Sequence, residues 1–188
     1  MNFFDKALKG LDAVSLRLVW FGGALLIVAA GIVTVDVIVR KIFNISMAGS
    51  DELSGYAFGI ATALSLSYAL IHRGNMRVDA LYQYLPMWLR AVLDIIGTTL
   101  LIAFLAYVSW RGFLLVADTW DNQSRSITPL RTPLIIPQAM WITGLILCVV
   151  TGAVVIAASV WALVKRDWAA VHRLVGMKSL DEQIEEES

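Results

Sequence analysis

One cysteine, two histidines and four prolines in 188 residues leave little material for several kinds of chemistry. Cys148 has no second cysteine to pair with, and its place in the middle of an apolar run marks it as a small packing residue. A membrane haem subunit needs axial ligands inside its bundle, usually a pair of histidines. His72 and His172 fall at or beyond the ends of apolar runs, so a cytochrome-b-like reading is poor and His72 reads as an interfacial polar residue. No His/Cys/Asp/Glu cluster has metal-ligand spacing, no glycine-rich stretch has the form of a phosphate loop, and no Ser–His pair is placed to meet within a membrane. Fifteen basic residues balance fifteen acidic ones. That balance gives no hint of a nucleic-acid partner, and the aromatics sit elsewhere than in the basic patch such a binder shows. The expectation is a chain that is no enzyme, with no cofactor or metal of its own.

What is abundant is apolar. Hydrophobic residues make up 59% of the chain, against roughly 45–50% in a soluble domain, and the mean hydropathy is +0.73. Four long apolar runs carry the excess, which predicts an all-α membrane protein with four transmembrane helices. Their spans are about 18–39, 53–71, 88–116 and 138–164. The first run is longer than the apolar region of a signal peptide and no Ala-x-Ala site follows it, so it reads as a retained helix. Before it, Phe4, Leu8, Leu11, Val14 and Leu18 recur at helical spacing, with Asp5, Lys6, Lys9 and Asp12 on the other side. Residues 1–17 therefore suit an amphipathic interfacial helix; the competing reading is a frayed start to the first span. Residues 165–188 form a tail with an acidic end.

The second run is the hub. Gly55, Gly59, Ala63 and Ser67 fall every fourth position, and Ala57, Ala61, Ser65 and Ala69 make a second row. In lipid, small side chains that let backbones approach mark the packed faces. Two rows predict neighbours on more than one side. Gly144, Cys148 and Gly152 repeat the spacing in the fourth span, and with Gly55, Gly59, Ala63 and Ser67 its two glycines are the candidate subunit-packing residues. Asp36 lies one turn before Arg40, which gives the acid a partner near the exit of span one. Ser50 or Asp51 is placed to cap span two, with Glu52 adding charge at its amino end, and Gly74 is placed to break it. Arg111 can snorkel from the far part of span three. Prolines 129, 133 and 137 keep their stretch out of helix until the last, which a first turn tolerates.

Lys and Arg fix the orientation. The side shared by both termini and the second connection holds ten of them, and the other side five. The positive-inside bias puts both termini in the cytoplasm. Secondary transporters usually carry repeated halves and broken spans with mid-membrane polar groups. Four mostly unbroken helices with few such groups read better as a partner subunit. Two rivals are an autonomous small channel or exporter and the membrane anchor of a redox enzyme.

Four landmarks occur in order: Arg40-Lys41-Ile42-Phe43-Asn44, Asp51-Glu52-Leu53, Arg73-Gly74-Asn75-Met76-Arg77-Val78-Asp79, and Thr132-Pro133-Leu134-Ile135-Ile136-Pro137. Their order and spacing resemble the small membrane subunit (DctQ-type, or Q subunit) of tripartite ATP-independent periplasmic (TRAP) transporters. The resemblance implies a bacterial inner-membrane, sodium-driven uptake system for organic acids or related solutes. In that family a periplasmic substrate-binding protein (P) delivers solute to a membrane pair. The large subunit (M) carries the substrate and sodium sites, and the small one braces its scaffold in the lipid. On that reading Arg40, Lys41, Asp51, Glu52 and Arg125 are periplasmic docking candidates, and Arg73, Arg77 and Asp79 form a cytoplasmic turn.

Overall fold

The computed structural model describes residues 2–45, 48–73 and 86–165, with Val171, Leu174 and Val175 of the tail. It contains four α-helices, each long and apolar enough to cross a membrane: α1 (Asn2–Phe43), α2 (Ser50–Ile71), α3 (Met87–Asp121) and α4 (Ile135–Val164).

No break separates residues 2–17 from the first span, since α1 runs 42 residues without interruption. At about 1.5 Å per residue that is roughly 63 Å, about twice the hydrocarbon thickness. No proline interrupts it, Asp5 sits in its first turn, and Arg40 and Lys41 sit in its last, each placed to suit the helix dipole. The N-terminal amphipathic stretch is thus an extension of the span rather than a separate rod. Its Leu8 packs with Ala91 and Ile95 of α3, Val155 and Ala162 of α4, and Val171 and Val175 of the tail, forming a small core at one end of the bundle.

The predicted caps of α2 are replaced. Neither Ser50 nor Asp51 caps it; the N-cap is Gly49, at φ 116°, whose carbonyl accepts from the Leu53 N–H at 3.0 Å. A side chain at Gly49 would also press on the Leu130 side chain, so the positive φ demands glycine and this contact adds to the preference. At the other end Arg73, at φ 56°, takes the left-handed position that glycine usually fills. The helix has therefore already turned before Gly74, which lies outside the described residues, as do Arg77 and Asp79. α3 starts from Pro86, and α4 carries Pro137 in its first turn.

The helices line up as α1–α2–α4–α3. α1 packs along α2, α2 along α4 and α4 along α3, while α1 touches α4 only slightly. α2 and α4 are the interior pair, and α1 and α3 bury the smaller shares of their apolar windows. Between α3 and α4 the chain makes a short hairpin: Ser126 N–H donates to Thr132 O at 2.9 Å and Leu134 N–H to Ser124 O at 3.1 Å.

Candidate functional site

The small-residue rows divide into two populations. At Gly144 a Cβ would stand 2.6 Å from the carbonyl carbon of Ala63, and at Gly22 of α1 it would stand 3.1 Å from the Ala61 Cα. Gly152 is filled over by Ile102 of α3, and Ser67 is fully buried. Thus Ala61 of the second row meets α1, Ala63 of the first row meets α4, and α2 has close neighbours on two sides. Four of the six candidate subunit-packing residues, Ala63, Ser67, Gly144 and Gly152, are consumed inside the chain. Gly55 and Gly59 differ: nothing lies within 4 Å of either missing Cβ. They line an open cleft of about 170 Å³ with Tyr56, Ile60, Leu134, Pro137, Gln138 and Trp141. The Gln138 Oε1 atom is buried and accepts no hydrogen bond among the described residues.

Above that cleft, one end of the bundle is laced by polar side chains. Asp36, 1% exposed, pairs with Arg40 on its own helix and accepts from Ser50 Oγ at 3.0 Å. Ser50, expected as a cap, thus ties α1 to α2 instead. Next to it Glu52 accepts from Tyr56 Oη at 2.8 Å and from Thr128 Oγ1 in the α3–α4 hairpin. Thr128 also shares a hydrogen bond with Ser126 at 2.7 Å. Of the five docking candidates, Arg40 and Glu52 are therefore engaged within the chain, and Lys41, Asp51 and Arg125 are exposed. Thr128 had no signal in the sequence, because its partner is 76 residues away.

At the opposite end His72 Nε2 lies 2.9 Å from Asp12 Oδ1, joining the end of α2 to the early part of α1. The His72 ring also rests on Tyr68, with centroids 4.1 Å apart. Lys165 places its ammonium 5.0 Å over the Trp161 ring at the end of α4. Among the described residues no group of three or more His, Cys, Asp or Glu side chains is arranged to hold a metal ion.

Four lipid-length helices, bonded to one another through glycine contacts and to themselves through polar straps, define a polytopic helical membrane protein. The family model of tripartite ATP-independent periplasmic transporters, DctQ component, matches residues 29–166. The chain belongs to that family, and so is a small membrane subunit of a TRAP transporter. The match takes in the last third of α1 and all of α2, α3 and α4. Neither a curated protein nor a solved structure matches the chain.

Proposed function

We propose that this chain braces the large transport subunit of a sodium-driven TRAP system taking up organic acids or related solutes. It would do so in the bacterial inner membrane, with both termini in the cytoplasm and a periplasmic binding protein as the third component. Sodium and solute belong to the partner subunit on this reading. The observation that carries it is the uneven use of close-packing surface. The chain closes Gly144 and Gly152 on its own helices yet leaves Gly55 and Gly59 beside an open cleft. In lipid, a helix face of glycines is stabilised by another helix that fits against it, not by acyl chains. A scaffold helix of the large subunit supplies that fit.

The test is Gly59→Leu in a co-expressed pair. Because the space beside Gly59 is empty, leucine there spares the chain's own packing and fills the cleft. The tagged variant should retain its helicity and lose the large subunit on purification. Undiminished recovery of the large subunit would remove the cleft from the interface, and recovery of self-oligomers alone would favour a channel.

A further inference from the structure

We infer that the early part of α1 binds an anionic phospholipid, whose phosphodiester sits among Lys6, Lys9 and Arg17 and whose acyl chains run on beside Trp20. Buried positions on α1 recur every seventh residue: Ser15 and Asp36 are 0% and 1% exposed, and Gly22 and Ala29 lie between them at the same spacing. That seam faces α2, through Gly22 against Ala61 and Asp36 against Ser50. At about 3.6 residues per turn, Lys6, Lys9, Gly10, Ala13, Arg17 and Trp20 fall within an arc of about 100° on the opposite side. All six are exposed, Trp20 to 75%. Among the described residues no carboxylate pairs with any of the three cations. Asp5 and Asp12 stand roughly a quarter turn away, and Asp12 is taken by His72. The stripe is therefore a run of uncompensated positive charge with two small residues, Gly10 and Ala13, between its cations.

Depth decides what the stripe meets. Arg17 is about 28 Å along the helix from Asp36, close to the thickness of the hydrocarbon core. With Asp36 at one boundary, Arg17 lies at the other. Lys9 and Lys6 then lie about 12 and 16 Å further on, in the head-group layer and its wet edge. The same face continues without a break into Ala24 and Ile27, which are exposed and apolar. An occupant of the whole face must be anionic at one end and apolar at the other, with the change at Arg17. A soluble acidic segment meets the first condition alone, and an apolar helix the second alone. A phospholipid with a net negative head group meets both. The indole of Trp20 suits the level where the two halves join. A zwitterionic lipid carries its own cation and is drawn less strongly, since each Lys or Arg near an anionic lipid surface is worth about fivefold in binding. The bias of basic residues sets which end of the chain faces the cytoplasm; the seam sets which side of α1 these cations face.

The inference does not depend on the bracing role. A photo-cross-linking residue replaces Ala13, between the cations, in the full chain held in nanodiscs with a minority of phosphatidylglycerol among phosphatidylcholine. Phe104, an exposed position on α3, is the control. Phosphatidylglycerol should be enriched among the lipids cross-linked at 13 by about fivefold or more over its share in the disc, and at 104 it should match that share. Lys6→Gln/Lys9→Gln/Arg17→Gln should abolish the enrichment, whereas Lys6→Arg/Lys9→Arg/Arg17→Lys should keep it. The two variants alter the same three positions, so loss in the glutamine variant alone separates charge from folding. A bulk lipid ratio at 13, or equal enrichment in the glutamine variant, overturns the inference. So does a cross-link from 13 to the large subunit instead of lipid, in native membranes where both are expressed.

Discussion

Asp36 is a nearly inaccessible carboxylate in an apolar helix, tolerated because Arg40 lies one turn on and Ser50 reaches it from α2. Removing the cation should cost more than removing the hydroxyl. Arg40→Leu is expected to lower stability by about 2 kcal/mol, less than the penalty of breaking a fully buried pair because the guanidinium is half exposed. Ser50→Ala is expected to cost about 1 kcal/mol, the worth of an ordinary hydrogen bond. Equilibrium unfolding in micelles separates the two, and equal small losses would mean that the fold holds Asp36 without either partner. Thr128→Val should release the hairpin from Glu52. Hydrogen exchange should then quicken across residues 124–134 and leave α2 protected; unchanged exchange there would show that backbone bonds alone fix the loop. The Asp36–Arg40 pair was legible in the sequence because i,i+4 neighbours meet on any helix. The bonds from Ser50 and Thr128 were not, because they depend on which helices come together.

α2 is the element through which the rest is joined, and its glycine-type spacing is legible in the sequence. Spacing alone states that something comes close, without stating what. Gly144→Ala should force α2 and α4 apart at Ala63 and cost about 1–3 kcal/mol, as overpacking does. Gly59→Ala should stay within about 0.5 kcal/mol, as at an open surface position. Thermal unfolding of the isolated subunit compares them directly, and equal losses would contradict the division between closed and open glycines. The four helices were legible from apolar runs of bilayer length, and Pro137 marked the first turn of α4. The ends were harder. Gly49 is required by its left-handed backbone and favoured by Leu130 from a distant loop, and Arg73 takes a backbone conformation that points instead to the following glycine. The expected boundary near residue 17 is absent because a change from charged to apolar side chains alters where a helix is wet, not whether it continues.

For the whole molecule, the row of helices and the bias of its basic residues give a labelling pattern. Ile127 stands fully exposed at the hairpin and Cys148 is buried, which leaves a quiet background for an introduced thiol. Ile127→Cys should react with an impermeant maleimide in intact cells, and Lys9→Cys only after the membrane is opened. The reverse pattern would invert the proposed topology. The core around Leu8 joins the early turns of α1 to Val171 and Val175, which follow α4 in the chain. During synthesis the opening segment must therefore wait in the membrane until every later helix has entered. A polypeptide that stops after α4 would leave Leu8, Ala91 and Ala162 without that cover, and faster proteolysis of it than of the chain with the tail is the expected readout.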